Sequence, residues 1–326
     1  MRIRRLVLTF AMLGLLTGAA PALGSPAPAL WLGNYNGGSN GIQEFRPSEL
    51  LRSGTPTPTV IDTGSLEIDG IAFDKEHNLW AVANGTEIVE FSRAQLAQLA
   101  SNSAPTPAAV IASSSFGGNI LGCAFDKKGN LWVADDNLGV FEISAKQLKA
   151  GTNAALRPAV TLTVSAFQEV YFLAFDHSGN LWGSDAAGAV YELTKRQIRS
   201  TSSVTPAVTI TAPTFQEPGQ LVFDKGGNLW IADHKAENLQ KFTKKSIKQS
   251  GSPPPAVTIT NNSGSIVGPW GMTIDPSANL WVSNYGETIS KFDPAQVKST
   301  DSPTAAVFLD DPGNTEPSQM TFGPAF

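Results

Sequence analysis

Four glutamates occupy one position of a segment that recurs along this 326-residue chain. Each lies six residues before a phenylalanine, and the four are Glu67, Glu169, Glu217 and Glu316. Two further copies of the segment have Asn119 and Gly268 at this position. Carboxylates that converge on one axis repel each other unless a cation, water or a polar ligand offsets their charge. Because Ca²⁺ prefers several oxygen ligands, the four glutamates are candidate metal ligands, with calcium as the candidate cofactor.

A second set of oxygen-bearing side chains follows a recurring tryptophan by three residues. Its members are Asn34, Asp135, Asp185, Asp233 and Asn284, and in one copy Asn84 stands next to the equivalent position. If the copies pack side by side, both sets line the same opening. Asp or Asn at a strand end also commonly bonds its own backbone two residues on. We therefore interpret the second set as turn-stabilising, with a ligand-binding role as the alternative.

Five other candidate ligand-binding residues lie in the recurring segment, three or four residues before its phenylalanine or isoleucine. They are Asp69, Tyr171, Trp270, Gln220 and Gln319. Tyr171 and Trp270 are expected to project toward the common axis, where their rings could stack on a sugar or an aromatic ligand. The alternative is that these two rings only narrow the axial tunnel.

The elements that position these residues repeat about every fifty residues. Tryptophans mark the repeat at Trp31, Trp80, Trp132, Trp182, Trp230 and Trp281. Each copy predicts an apolar strand A, a Gly/Asn turn, a strand B that contains the tryptophan, an alternating strand C, a short helical turn and a strand D. Six copies of four strands predict an all-β protein, a six-bladed β-propeller of four-stranded blades.

The first copy of the repeat lacks its strand A. The missing strand appears at the other end of the chain, where residues 319–323 resemble residues 70–74 and 271–275. The sequence therefore predicts that the C-terminal strand pairs in the first blade. Such a join closes the ring and leaves no unpaired sheet edge at the seam.

The N-terminus predicts export. Arg2, Arg4 and Arg5 precede an apolar run at 6–16 and then small residues, so residues 1–24 are typical of a secretory signal peptide, and residues 25–326 form a single propeller domain. An uncleaved anchor or a twin-arginine signal is the alternative. Loss of the three arginines leaves 20 basic and 28 acidic residues, a net charge of −8. We expect a secreted or periplasmic monomer with no nucleic-acid partner and no membrane span after cleavage.

The segment from Asp126 to Asp135, DKKGNLWVAD, resembles an NHL repeat. The whole mature chain is similar to the six-bladed, TolB-like fold shared by the gluconolactonase/senescence-marker group and the streptogramin lyases. The resemblance to the gluconolactonase group implies metal ligands at the position four residues before the strand A aromatic, supplied by different blades. Only Asp69 matches that group at this position, so a non-enzymatic member is favoured. The lyase resemblance implies histidines around the axis. We expect His77 and His177 in turns on the far face and His234 at the outer rim.

These residues predict a secreted binding module. Its acidic, aromatic mouth, formed by the D–A and B–C loops, is expected to bind a small molecule, a peptide or a partner protein. The alternative is a divalent-metal-dependent, lactonase-like hydrolase or a lyase that uses the axial carboxylates. A purely structural role is the third hypothesis. The basic residues of the C–D helical turns fall on the opposite face, where we expect them to be solvated.

Overall fold

The computed structural model is a ring of six antiparallel sheets, which confirms the predicted six-bladed β-propeller. It describes residues 27–35, 41–64, 66–99, 104–117, 119–136, 139–164, 166–285, 287–311 and 316–326. The predicted signal peptide, residues 1–24, lies outside this part of the chain. The innermost strands of neighbouring blades pack side by side around the axis. We number the blades I to VI in chain order.

Every blade has four strands of its own, ordered from the axis outward. Blade I contains β25 (Pro317–Gly323), β1 (Ala29–Asn34), β2 (Ile42–Phe45) and β3 (Thr59–Ile61). Blade II contains β4 (Ile68–Phe73), β5 (Leu79–Ala83), β6 (Glu87–Phe91) and β7 (Ala109–Ala112). Blade III contains β8 (Ile120–Phe125), β9 (Leu131–Asp135), β10 (Gly139–Ile143) and β11 (Val160–Val164).

The remaining three blades repeat the arrangement. Blade IV contains β12 (Val170–Phe175), β13 (Leu181–Asp185), β14 (Ala189–Leu193) and β16 (Val208–Thr211). Blade V contains β17 (Pro218–Phe223), β18 (Leu229–Asp233), β19 (Asn238–Phe242) and β20 (Val257–Thr260). Blade VI contains β21 (Pro269–Ile274), β22 (Leu280–Asn284), β23 (Thr288–Phe292) and β24 (Val307–Asp310).

The ring closes through the two ends of the chain. Strand β25 pairs antiparallel with β1, with Thr321 opposite Trp31 and Phe322 opposite Leu30. The Trp31 indole also donates a hydrogen bond to the carbonyl of Pro324 at 3.1 Å. Strand β1 therefore has a partner on both edges, β2 and β25. The predicted join between the C-terminal strand and the first blade is confirmed.

The recurring Asp, Asn and Trp of the A–B turn form one hydrogen-bonded unit. In blade II the Asp74 carboxylate accepts hydrogen bonds from the Asn78 backbone and side-chain amide, at 2.8 and 2.9 Å, and from the Trp80 indole at 3.0 Å. The Asn78 side-chain oxygen accepts the N–H of Arg93, the first residue of α1 (Arg93–Leu96), at 2.9 Å. One carboxylate thus ties the turn to strand B and, through the asparagine, to the helix.

The same tryptophans join each blade to the next. The ring of a strand B tryptophan meets edge-on the phenylalanine at the end of the following strand A, with centroid distances of 5.4 Å for Trp31–Phe73 and 5.7 Å for Trp182–Phe223. The pair Trp281–Phe322, at 6.1 Å, carries this contact across the closure. Because the tryptophan rings are buried in these contacts, the tryptophan repeat reflects the packing between blades.

Short helices follow strand C in two blades, as the sequence predicts. Helices α1 and α2 (Ala145–Lys149) each begin with a serine capping box, at Ser92 and Ser144. The segments Glu49–Leu51 and Gln197–Arg199 are 3₁₀ turns, whereas the segments expected to be helical at 243–247 and 293–297 form hydrogen-bonded turns. None of the helices described is long and apolar enough to cross a membrane.

The C–D loops add a parallel seam around the perimeter that the sequence did not predict. Strand β15 (Ser202–Val204), from the C–D loop of blade IV, pairs with β11 of blade III. Single parallel bridges repeat this contact at Gly54–Leu309, Ile111–Asn153, Ile210–Gly251 and Ile259–Asp301. Outer strands are thereby covered on the edge that would otherwise pair with another molecule.

Deletion of residues 317–326 is expected to open the ring. Strand β1 would lose its inner partner, and we expect a lower melting temperature by circular dichroism and multimers in size-exclusion chromatography. A synthetic peptide of residues 317–326, added in trans, should restore the monomer because it resupplies the strand. A truncated chain that stays monomeric with an unchanged melting temperature would contradict closure by this pairing.

Candidate functional site

A cavity of about 360 Å³ opens on the face formed by the D–A and B–C loops, and we call it the mouth cavity. It brings together six of the predicted site residues, which are Asp69, Glu169, Tyr171, Glu217, Trp270 and Glu316. Its wall also contains residues that the sequence patterns did not single out, chiefly Tyr35, His234, Tyr285 and Ser318. A volume of this size is in the range of small-molecule sites.

One repeated backbone hydrogen bond places the carboxylates at the mouth. In every blade the residue four positions after the tryptophan donates its N–H to the carbonyl at the glutamate position, at 2.9 to 3.2 Å. The pairs are Tyr35–Glu316, Asn84–Glu67, Asp136–Asn119, Ala186–Glu169, His234–Glu217 and Tyr285–Gly268. The start of strand A and the end of strand B are therefore held together, and the residues at both positions are neighbours.

A break in strand register determines which side chains reach the cavity. All six innermost strands shift register against strand B at the same place; in β12 the shift lies between Val170 and Leu173. A β-bulge of this kind interrupts the alternation of side chains. The consecutive residues Tyr171 and Phe172 consequently both line the mouth cavity.

The second set of carboxylates and amides stabilises loop backbone. Asp233 is fully buried and accepts hydrogen bonds from the N–H groups of Gln216, Glu217 and Ala236 at 2.9, 3.0 and 3.1 Å. The Asn84 side chain accepts the N–H of Glu67 at 3.0 Å. These bonds support the interpretation that the second set stabilises turns. Most of the donors, however, lie in the preceding D–A loop, whereas the sequence predicted donors two residues after each Asp or Asn.

The axial glutamates have few partners. Glu217 pairs with Lys235 at 3.3 Å, and Glu169 accepts a hydrogen bond from the Tyr171 hydroxyl at 3.0 Å. Glu67 is exposed outside the cavity lining. Within the described ranges no three His, Cys, Asp or Glu side chains lie close enough together to hold a metal ion. The geometry gives no support to a calcium site at these glutamates, and metal binding by them stays a prediction.

Four rings form a continuous aromatic wall on one side of the cavity. The Tyr171 and Trp270 ring centroids are 5.1 Å apart, His234 lies 5.3 Å from Trp270, and Tyr285 lies 4.6 Å from His234. The expectation that His234 is a solvated residue of the outer rim is wrong, because its ring packs in this wall and its Nδ1 atom is buried. His77 and His177 do lie in A–B turns on the opposite face.

Three of the overlooked residues share one sequence position. Tyr35, His234 and Tyr285 each stand four residues after a strand B tryptophan, immediately beyond the second polar set. Since the repeated backbone bond joins this position to the glutamate position, a six-copy alignment of the chain with itself would have brought them into the candidate site.

Two glycines make room for the wall. Gly219 of blade V lies between Tyr171 of blade IV and Trp270 of blade VI, and a Cβ there would come within 2.8 Å of the Trp270 carbonyl. Gly268 has φ +53°, and a Cβ there would lie 2.9 Å from the His234 ring. A side chain at Gly268 would therefore press on the His234 ring, and one at Gly219 would press on the Trp270 backbone.

Gln220 and Gln319 lie on innermost strands, outside the residues that line the cavity. The side-chain oxygen of Gln220 accepts the backbone N–H groups of Met272 and Met320 at 2.9 and 3.0 Å. Its side-chain nitrogen donates to the backbone carbonyl of Met320 at 2.9 Å. Gln319 exchanges the same two kinds of bond with the backbone of Cys123. Both amide groups are engaged with the backbone of other blades, so we leave these two predicted ligand-binding residues out of the proposed site.

Asp69 is the most perturbed acid of the mouth. Its side chain is 6% exposed and accepts the N–H of Gly85 at 3.1 Å. Burial raises the pKa of Asp69 to about 7, with a further increase from the charge of Glu67, while the Gly85 bond acts in the opposite direction. The carboxyl group therefore changes its protonation near neutral pH.

We predict that Asp69 makes the folded state less stable as the pH rises from about 4 to about 7. In this window folded Asp69 keeps a proton that an unfolded aspartate, with a pKa of about 3.9, has released. Relative to Asp69→Asn, the wild-type free energy of unfolding should fall by up to about 1.4 kcal/mol per pH unit and level off above pH 7. Urea unfolding across this range measures the difference, with the exposed Asp310→Asn as control. Parallel profiles for wild type and Asp69→Asn would exclude the effect.

Comparison with known proteins identifies the fold alone. No protein-family model and no curated protein matches the chain. A protein of unknown function from Bacteroides caccae superimposes with a TM-score of 0.58 at 13% identity, covering 92% of this chain and all of that one. Virginiamycin B lyase from Staphylococcus aureus gives 0.48 at 12% identity, covering 79% and 84%. The extracellular domain of a putative one-component system from B. thetaiotaomicron gives 0.49 at 14%, covering 73% and 31%. The likeness to the Bacteroides caccae protein concerns the fold alone.

Proposed function

We propose that this chain is an exported, non-catalytic β-propeller that binds a small molecule or a peptide in the mouth cavity. The observation that carries the proposal is the aromatic wall of Tyr171, Trp270, His234 and Tyr285, which stands beside carboxylates in one open cavity. Aromatic faces with a few converging polar groups are typical of ligand sites.

The support of the wall favours binding over a purely structural role. Trp270 is held against the rings of Tyr171, His234 and Tyr285, which come from three blades. A preformed wall binds with little loss of side-chain freedom, because its rings are already ordered. Export is supported by the arginines and apolar run at the N-terminus.

A hydrolase or lyase is the second candidate, favoured by Asp69. A carboxyl group whose pKa lies near 7 suits general acid–base catalysis, and His234 lines the same cavity. Assays with aromatic lactones and esters separate the two functions. We expect no turnover above background; turnover that disappears in Asp69→Asn but persists in Asp310→Asn would establish the enzyme and remove the binding proposal.

Ligand binding should alter the fluorescence of Trp270. Six of the seven tryptophans are at most 2% exposed, whereas Trp270 is half-buried in the cavity wall. We expect at least one member of a panel of a disaccharide, an aromatic amine, an aromatic acid and a tripeptide to shift the emission and reduce acrylamide quenching. The response should vanish in Trp270→Phe, which keeps a ring at this position. A response that survives in this variant would place the ligand elsewhere.

A further inference from the structure

We propose, resting on the proposed function, that the ligand of the mouth cavity is an organic cation. Its ammonium group would lie against the aromatic wall beside Glu217, and its apolar body would occupy the remaining cavity. A free amine and the side chain of a lysine in a peptide both present this chemistry.

The charge of the cavity wall is of one sign. Its lining contains five carboxylic acids, Asp69, Asp136, Glu169, Glu217 and Glu316, and no lysine or arginine among the described residues. A cavity walled by low-dielectric protein concentrates such a field and attracts cations. Carboxylate or phosphate ligands would be repelled.

Three tyrosines of the cavity have raised pKa values, and nearby carboxylates contribute to each shift. Burial, followed by the charges of Glu316 and Glu217, raises the pKa of Tyr285 to about 12. The pKa of Tyr171 is raised by burial and by its hydrogen bond to Glu169, and that of Tyr35 by burial and by Glu67, Asp69 and Glu316. In all three tyrosines burial is the largest cause of the raised pKa and neighbouring carboxylates add to it, so a further negative charge is disfavoured there.

The aromatic wall adds a second attraction for a cation. A cation within about 6 Å of a ring centroid interacts with the negative face of the ring, and tryptophan is the best partner. This chain already uses that contact elsewhere, since the ammonium of Lys241 lies 5.1 Å from the Trp230 ring and that of Lys291 lies 5.9 Å from the Trp281 ring. A ligand ammonium at Trp270 would meet the ring face and the carboxylate of Glu217 together.

The geometry favours an organic cation over a metal ion. No three metal-ligating side chains converge in the described part of the chain. The cavity volume of about 360 Å³ is roughly ten times the share of one water molecule, so there is room for a molecular body as well as a charge. Ser318, on the cavity wall, is 3% exposed and its hydroxyl has no hydrogen-bond partner in the part of the chain described.

Lys235 marks the position that the ligand would take. Its ammonium lies 3.3 Å from Glu217, yet the lysine side chain is 63% exposed while that of the glutamate is 14% exposed. The carboxylate is thus largely buried and its partner is in solvent. An exposed ion pair of this kind contributes little stability, roughly 0 to 1 kcal/mol. A ligand ammonium that approaches from the cavity can replace it.

Calorimetric titration of the purified protein with matched probes tests the inference. The probes are 2-phenylethylamine, the neutral 2-phenylethanol, the anionic phenylacetate and Nα-acetyl-lysine methylamide, which keeps its side-chain ammonium. We expect the amine to bind about tenfold tighter than the alcohol, and the acid not to bind. Binding of the lysine derivative as tight as that of the amine would identify a peptide as the source; weaker binding would identify a free amine.

Three variants separate charge recognition from general effects on folding. Glu217→Gln should weaken amine binding about fivefold and leave the alcohol unchanged. Lys235→Gln should tighten amine binding severalfold, because the competing ammonium is gone, and a damaged fold cannot produce this gain. Glu76→Gln, on the opposite face, is the matched control and should change nothing.

The outcomes distinguish this inference from the function on which it rests. Equal affinity for amine and alcohol, or amine affinity that is unchanged in both Glu217→Gln and Lys235→Gln, would overturn the cation while leaving a ligand site at Trp270. If none of the four probes binds, the cation inference fails; the proposed function fails only if the broader panel also leaves Trp270 fluorescence unchanged.

Discussion

The pairing of β1 with β25 is the constraint on which the rest of the structure depends. It joins the ends of the chain, makes the sixth blade contact equivalent to the other five and brings six innermost strands around one axis. Space there is scarce. A Cβ at Gly70 or Gly122 would lie 2.7 or 2.5 Å from a carbonyl oxygen of the next strand. Gly271 of β21 has the same position and a Cβ there would lie 2.7 Å from the Ser318 carbonyl, whereas the other three strands bear Phe172, Gln220 and Gln319.

At the crowded axis, successive residues of strand A have different positions and different roles. Because each strand breaks register at the same point, one side chain enters the channel and the preceding one lies at the mouth. The channel residues satisfy backbone groups on distant blades, as Gln220 does for Met272 and Met320. The mouth residues instead line the cavity. Tyr171 and Trp270 meet across blade V, whose equivalent residue, Gly219, has no side chain.

The sequence predicts the fold further than it predicts the site. Blade number, strand order and ring closure follow from the tryptophan repeat and from the strand A that is missing before Trp31. His234 was misplaced because its direction depends on Gly268, from another blade, whose positive φ and missing Cβ admit the ring. The partners of Gln319 lie 196 residues away, so no local pattern announces them. The parallel perimeter seam is likewise built from irregular loops, which carry no strand periodicity.

The two sets of acids at the mouth have opposite relations to the fold. Asp185 and Asp233 are buried and each accepts at least two backbone N–H groups, so they hold the loops that they bind, although burial still raises the pKa of both. Glu217 has a single exposed lysine, and Asp69 has a single N–H that does not offset its burial. The burial of Asp69 costs stability, and this second kind of acid returns less to the backbone than the first. Chains retain such local conflicts where function requires them. The conflict lies in the same cavity as the wall of four aromatic rings, and this coincidence, more than the number of acids, is the reason for proposing a ligand at the mouth.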